Sequence, residues 1–116
     1  GVATVFAEKN GIVCLLKDHH TVITDGEALY INQSGNAGMA TAGMGDVLAG
    51  VVGALLARTE TSGDISKKSE ILLRVAAGAY LHGHSGDLAE SNIGQYSLTA
   101  SDLLAEIPSA ILDIFG

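Results

Sequence analysis

Apolar residues near the start of the chain form a helical pattern and then short strand-like runs. Val2–Lys9 is predicted to be the end of a helix. The unbroken apolar run Ile12–Lys17 is typical of a strand covered on both faces, and Thr21–Thr24 predicts a second strand. Asp25–Gly26 is a hairpin turn signal, so Glu27–Ile31 is expected to return antiparallel to the second strand.

A segment of small and polar residues separates these strands from the next helix. Residues Asn32–Gly45 are rich in Gly, Ser, Asn and Ala and are predicted to form a loop. The apolar run that follows predicts a helix that begins at Asp46 or Val47 and ends near Arg58.

Two further helical patterns occupy the second half of the chain. Ser66–His82 carries apolar residues at the spacing of one helix face, and the glycine-containing stretch Gly83–Tyr96 is expected to be a polar connection. Thr99 and Asp102 have the spacing of a capping box ahead of an apolar run. Pro108 is expected to begin a last short helix.

Composition indicates an α/β protein with a core of aliphatic side chains. The chain has 116 residues, of which 47% are hydrophobic, but it has no Trp, two Phe and three Tyr. The core must therefore be built from Val, Ile, Leu and Ala. Together with 15 glycines, this composition favours buried strands and closely packed helices within one domain.

Net charge and cysteine content bear on the cellular compartment of the protein and on whether it binds nucleic acid. The formal net charge is −7 with only six Lys and Arg, which argues against nucleic acid as a partner. Cys14 is the only cysteine, so no internal disulfide can form, as suits a reducing cytoplasm. The start of the chain lacks the pattern of a signal peptide, and the apolar run Val47–Ala57 is too short to span a bilayer. We therefore expect a cytoplasmic protein with no membrane partner.

The chemistry-bearing stretch is "GMATAGMGDVLAGVVGALLA", Gly38–Ala57. Glycines just before a helix let a ligand approach the backbone, and a helix N-terminus presents unpaired N–H groups and a partial positive charge. The amides of Gly43, Met44 and Gly45 are therefore expected to form an anion hole for a phosphoryl group. The Gly-Lys-Ser/Thr ending of a Walker A loop is absent, and an acid, Asp46, stands there instead.

Two interpretations of Asp46 remain open at this point. A carboxylate beside an anion hole would repel phosphate, but it can remove a proton from a nucleophile that attacks the phosphoryl group. Alternatively, Asp46 only caps the helix, which is a common role for aspartate.

The same stretch resembles the hallmark segment of the ADP-dependent NAD(P)H-hydrate dehydratases, a family with a three-layer α/β/α ribokinase-like fold. Three further segments are similar to this family: "LLKDHHTVITDGEALYINQSGNAGMATAGMGD", "AAGAYLHGHSGDLAE" and "LTASDLLAEIPSAI". The resemblance implies dehydration of the S form of hydrated NADH or NADPH, with ADP consumed and AMP and phosphate released. It implies phosphorylation of the hydrate's hydroxyl, followed by elimination of phosphate.

The resemblance also implies roles for individual residues. Asp46 matches the family's catalytic and substrate-binding acid, and Gly43, Met44 and Gly45 match the anion hole. Magnesium is expected to accompany the nucleotide. The positions implied as nucleotide-binding are Lys17, Asp18, His19, His20, Thr21 and Gly45.

The chain departs from the family pattern in two residues and in length. Met44 stands where a small Ser or Thr is usual, and Asp18 stands where Gly is frequent. The N-terminal part of the family, which carries much of the sheet, has no counterpart in residues 1–116. We therefore expect the C-terminal, nucleotide-binding portion of a single ribokinase-like domain, with the N-terminal remainder of the same enzyme as a partner and a homo-oligomer as the assembly.

Two other functions are compatible with the same residues. One is an ATP-dependent kinase of a small alcohol or vitamin precursor, and the other is a non-catalytic nucleotide-binding fragment. His82 and His84 have a spacing that can bind zinc, but no cysteine or acid cluster completes a tetrahedral set, so structural or surface roles are favoured. Asp87 is expected at the surface, or facing a ligand.

Overall fold

Four α-helices and one antiparallel sheet make up the part of the chain that the computed structural model describes, which is residues 2–10, 13–16, 20–57 and 68–116. In chain order these elements are α1 (Val2–Asn10), β1 (Cys14–Leu16), β2 (Thr21–Thr24), β3 (Leu29–Asn32), a 3-10 turn (Ala37–Met39), α2 (Met44–Ala57), α3 (Lys68–Ile93) and α4 (Ala100–Phe115). None of these helices is both long enough and apolar enough to cross a membrane. The helix predicted at the start of the chain is confirmed by α1.

The sheet has the strand order β1-β2-β3, with both neighbours antiparallel to β2. The hairpin between β2 and β3 is confirmed, with Thr24 paired to Leu29. Its turn is held by Asp25, whose carboxylate accepts hydrogen bonds from the amides of Glu27 at 2.8 Å and Ala28 at 2.9 Å. A φ of +96° at Gly26 explains why glycine occupies the turn.

The first strand differs from its prediction. Cys14 and Leu15 are only half-buried and Leu16 is 45% exposed, so the expectation of a strand covered on both faces is wrong for these residues. The reason is position, because β1 lies at one edge of the sheet and pairs with β2 alone within the described ranges. The two ends of the predicted strand, Ile12 and Lys17, fall outside those ranges.

The main core lies between the sheet and α3. Ile23 of β2 is fully buried against Leu72, Val75 and Ala79, which recur at helical spacing along α3. Side chains of α2 pack on the same cluster, among them Val52. The sheet, α2 and α3 therefore share one apolar interior.

A buried arginine joins α3 to the end of α2. Arg74 is only 8% exposed, and its Nη1 donates a hydrogen bond to the carbonyl of Leu55 at 2.9 Å. Its Nε lies 3.3 Å from the carboxylate of Glu70, one helical turn earlier. The guanidinium thus satisfies a carbonyl at the negative end of α2 that has no partner within the helix.

One continuous helix replaces the predicted helix and connection in the second half. α3 runs through Gly83 and Gly86 to Ile93, so the expectation of a polar connection over Gly83–Tyr96 is wrong for most of its length. The two glycines serve packing. A Cβ at Gly83 would overlap Ser34, and a Cβ at Gly86 would overlap the side chain of Met39.

The last helix begins as predicted and continues farther. Thr99 Oγ1 accepts a hydrogen bond from the Asp102 amide at 3.3 Å, and the Asp102 carboxylate accepts one from the Thr99 amide at 2.9 Å, which confirms the capping box. Pro108 lies inside α4, so the prediction that it begins a helix is wrong. Fully buried Leu103 and Ala110 anchor the helix on both sides of the proline, which offsets the lost backbone hydrogen bond.

Replacing Arg74 with methionine is expected to lower the free energy of unfolding by about 1–3 kcal/mol, because the carbonyl of half-buried Leu55 would lose its charged donor. Urea unfolding of the protein measures the change. Glu70→Gln is the matched control, with a smaller expected effect because it leaves the Leu55 hydrogen bond in place. Equal losses in the two variants would show that the ion pair, not the helix-end contact, carries the stabilisation.

Thr99→Ala is expected to lower the free energy of unfolding by about 0.5–2 kcal/mol, since it removes the side-chain half of the capping box. Ser101→Ala, an exposed change two residues later, is the control and should be close to neutral. The two variants are compared by their thermal unfolding midpoints. A midpoint for Thr99→Ala as high as that of the control would contradict the capping role.

Candidate functional site

The candidate site begins where the glycine-rich loop turns into α2. Gly43 has a φ of +86°, and its carbonyl accepts the amide of Val47 at 3.1 Å, so the helix starts at Met44, two residues before the earlier of its two predicted starts. Gly43 therefore occupies the cap position. Asp46 is the third helical residue, and the interpretation of Asp46 as the N-cap is wrong.

Two backbone amides of this first turn are open. Among the described residues, no backbone acceptor takes up the amides of Gly45 and Asp46, whereas the Met44 amide lies 3.4 Å from the carbonyl of Thr41. Gly45 and Asp46 are both exposed, and a Cβ at Gly45 would meet nothing within 4 Å. The positive end of α2 is therefore accessible to an anion.

The side chain of Met44 points away from this opening. It is 2% exposed and packs with Ala89, Leu98 and Leu103 in a second apolar cluster. The bulk that distinguishes methionine from serine or threonine thus fills the core between α2, α3 and α4. The same contact fixes the orientation of the first turn of α2, and with it the place of Asp46.

A buried histidine braces the same turn from α3. His82 is 5% exposed, and its Nε2 lies 3.1 Å from the carbonyl oxygen of Met44, so this nitrogen acts as the donor. The sequence favours a structural or surface role for this residue over a metal ligand, but it does not indicate which contact the histidine makes. Its contact partner is 38 positions away, which no local pattern could indicate.

His84 lies in a different environment from His82. Its ring stacks on Tyr80 with centroids 6.0 Å apart, and its Nε2 lies 3.0 Å from the carboxylate of Asp113. Residues two apart on a helix point in different directions, so these histidines do not share a ligand. Within the described ranges, no group of three His, Cys, Asp or Glu side chains is arranged to hold a metal ion.

A cleft of about 420 Å³ opens between the start of β2, the loop before α2, and α3. It brings together His20 and Thr21, two residues predicted to contact a nucleotide, and it is bounded on another side by His82. The other three predicted residues of that segment, Lys17, Asp18 and His19, lie outside the described ranges. The full lining comprises His20, Thr21, Asn32, Gln33, Ser34, Gly35, Asn36, Ala37, Met39, Ala40, Leu48, Ala79, His82 and Gly83.

The cleft and the open amides are neighbouring features, not one cavity. None of Gly43, Met44, Gly45 and Asp46 lines the cleft. The link between them is His82, which lines the cleft and contacts the carbonyl of Met44. Leu48 of α2 also lines the cleft, so the cleft lies beside the first turns of this helix.

The wall of the cleft formed by the loop is fastened to α3. Asn32 donates its side-chain amide to the carbonyl of Ala79 at 3.0 Å and accepts the hydroxyl of Ser34 at 2.7 Å. Farther along the loop, Asp87 accepts the amide of Gly35 at 2.9 Å. The prediction of Asp87 as a surface residue missed this contact, because its loop partner lies 52 positions earlier.

The chemistry available at this end of α2 follows from the two open amides and the acid beside them. Amides at a helix N-terminus can stabilise a phosphoryl group or a developing oxyanion. An exposed carboxylate in the same turn can accept a proton from a hydroxyl group that attacks the phosphoryl group. The arrangement is therefore compatible with transfer of a phosphoryl group to an alcohol.

Comparison with known proteins gives a consistent set of relatives. A profile of the NAD(P)H-hydrate dehydratase family matches residues 1–109. The chain is 42% identical over 106 residues to the bifunctional NAD(P)H-hydrate repair enzyme Nnr of Archaeoglobus fulgidus. It is 38% identical over 101 residues to the ADP-dependent (S)-NAD(P)H-hydrate dehydratase of Neisseria meningitidis serogroup B. These matches cover 91% and 86% of the chain.

A solved structure of a hypothetical protein from Streptococcus mutans has a similar arrangement, with a TM-score of 0.76 and 27% identity over 97% of this chain. The chain spans only 38% of that protein, and 20% and 30% of the two relatives above. The family resemblance seen in the glycine-rich segment is thus confirmed across most of the chain. The chain belongs to the NAD(P)H-hydrate dehydratase family and carries part of its ribokinase-like fold.

Proposed function

We propose that residues 1–116 are the C-terminal, nucleotide-binding portion of an ADP-dependent (S)-NAD(P)H-hydrate dehydratase. The observation that carries this proposal is the start of α2, where the open amides of Gly45 and Asp46 adjoin the exposed Asp46 carboxylate. A relative in which this activity is named shares 38% of its residues with the chain over their common length. The proposed products are NADH or NADPH, AMP and phosphate.

In the proposed first step, Asp46 accepts the proton of the substrate's hydroxyl group. The hydroxyl oxygen bonds to the terminal phosphorus of ADP, and the bond from that phosphorus to the bridging oxygen breaks, which releases AMP. Gly43, Met44 and Gly45 are proposed as the anion hole for the transferred group, and the open amide of Gly45 supports this most directly. In the second step, the bond from carbon to the phosphate oxygen breaks and phosphate leaves. The adjacent ring carbon loses a proton to water, and the electron pair of its C–H bond forms the restored double bond.

The nucleotide is proposed to occupy the cleft beside β2. His20 and Thr21 line it, and Lys17, Asp18 and His19 immediately precede them in sequence, so these five residues and Gly45 form the proposed nucleotide contacts. A diphosphate that extends from this cleft toward α2 would meet the positive end of the helix. The shared wall residue His82 supports this path, because it lines the cleft and braces the helix start.

Magnesium is proposed to accompany ADP. The described residues offer no preformed cluster of three acidic or histidine side chains. This fits a cation that is held mainly by the nucleotide's phosphates and by water, as is usual for magnesium. When bound, the ion would neutralise charge on the phosphoryl group.

We also propose a cytoplasmic homo-oligomer in which the N-terminal remainder of the enzyme completes the domain. The chain spans only 20% and 30% of two curated relatives, which supports a missing remainder. A lone cysteine, Cys14, and a net charge of −7 suit a cytoplasmic protein that does not bind nucleic acid.

The activity is tested with the full-length enzyme, hydrated NADH and ADP. We expect recovery of NADH absorbance with release of equal amounts of AMP and phosphate. The same enzyme with ATP and small alcohols tests the kinase alternative. Phosphorylated alcohol without hydrate turnover would overturn the dehydratase proposal.

Asp46→Asn is expected to lower kcat by a factor of about 10²–10⁴ and to change ADP affinity by less than about threefold, because the amide cannot accept the hydroxyl proton. Turnover assays and calorimetric ADP binding in the full-length enzyme provide the two measurements. Asp113→Asn removes an exposed carboxylate near the end of α4 and serves as the control. A variant at position 46 that keeps more than half of the wild-type kcat would exclude the base role.

A further inference from the structure

Asp87 is placed behind the loop wall of the cleft. Its Oδ2 accepts the backbone amide of Gly35 at 2.9 Å, and its Oδ1 accepts the side-chain amide of Asn36 at 2.9 Å. Gly35 and Asn36 line the cleft, but Asp87 does not. The carboxylate thus contacts the far side of a surface that a ligand would meet, and both of its oxygens already have donors from the loop.

The loop depends on these hydrogen bonds to α3 because its own residues restrict its backbone conformation only weakly. Gly35 has a φ of +105°, a conformation that glycine adopts readily but shares with many alternatives in a free chain. The Asn36 side chain links the loop to α3 a second time, by donating to the carbonyl of Gly86 at 3.1 Å. It also accepts the amide of Gly38 at 3.0 Å, which starts the 3-10 turn.

We propose that Asp87 is a positioning residue that holds residues 33–40 in the nucleotide-binding shape before ADP arrives. The inference rests on the proposed function, in which this cleft binds ADP. A carboxylate suits this position because each of its two oxygens accepts one of the two N–H donors, whereas an amide side chain would present one oxygen and one N–H₂ group. Binding to a wall that is already ordered avoids the entropy cost of ordering it, so Asp87 raises nucleotide affinity without contacting the nucleotide.

The first test compares Asp87→Asn with Glu90→Gln in the full-length enzyme. An asparagine at position 87 places its own N–H₂ group opposite one of the two donors, the Gly35 amide or the Asn36 side chain, so one hydrogen bond to the loop is lost. We expect the KM for ADP to rise by about tenfold or more and kcat to stay within about twofold. Glu90→Gln removes a half-buried carboxylate three residues farther along α3 and should leave both constants unchanged.

The second test is a rescue by exchange of the two side chains. In the double variant Asn36→Asp with Asp87→Asn, the new amide side chain at position 87 can accept from Gly35 and donate to position 36. We expect the KM for ADP to be lower than in Asp87→Asn but still higher than in the wild-type enzyme. Full recovery is not expected because an aspartate at position 36 cannot donate to the Gly86 carbonyl. The single variants Asn36→Asp and Asp87→Asn each give a fold increase in the KM for ADP. If the fold increase in the double variant equals the product of these two, the direct pairing of the side chains is contradicted.

Hydrogen exchange of the unaltered protein provides a measurement that does not depend on any variant folding. The Gly35 and Gly38 amides should be protected without ADP. Rapid exchange that slows only when ADP is added would overturn the inference. If the unaltered enzyme does not use ADP, the proposed function itself is wrong. If Asp87→Asn turns over normally with an unchanged KM for ADP, only the positioning role of Asp87 is wrong.

Discussion

The close approach of the glycine-rich loop to the backbone of α3 is the constraint on which the site depends. At Gly83 and Gly86 the helix has no side chains, and Ser34 and Met39 occupy the space that Cβ atoms would need. The loop can therefore lie directly on the helix and receive its hydrogen bonds. A helix with ordinary residues at these positions would push the loop outward and enlarge or distort the cleft.

The long helix also relates the two apolar clusters to each other. Its first half carries Leu72, Val75 and Ala79 against the sheet, and its second half carries Ala89 against Met44 of α2. Because one continuous helix carries both clusters, the strand that begins at the cleft and the helix that presents Asp46 keep a fixed relation. The interior packing and the proposed chemistry thus depend on the same helix.

Local patterns predict the elements whose causes are local. The hairpin at Asp25–Gly26 and the capping box of Thr99 and Asp102 depend on residues within a few positions, and the structure contains both. The glycines of α3 suggest a connection because glycine's weak helix preference is visible in sequence, whereas the loop that packs on them is not. Pro108 misleads for a similar reason, since tertiary packing holds α4 together around it.

The outer strands of the sheet have a practical consequence for this stretch of chain on its own. In the part that the structure describes, β3 has one unpaired edge, and Leu29, Tyr30 and Ile31 are each between 45% and 53% exposed. An open strand edge flanked by apolar side chains is a template for pairing with another molecule. We therefore expect a polypeptide of residues 1–116 alone to self-associate through this edge of β3. Its solubility, more than its folding, would then limit its concentration in solution.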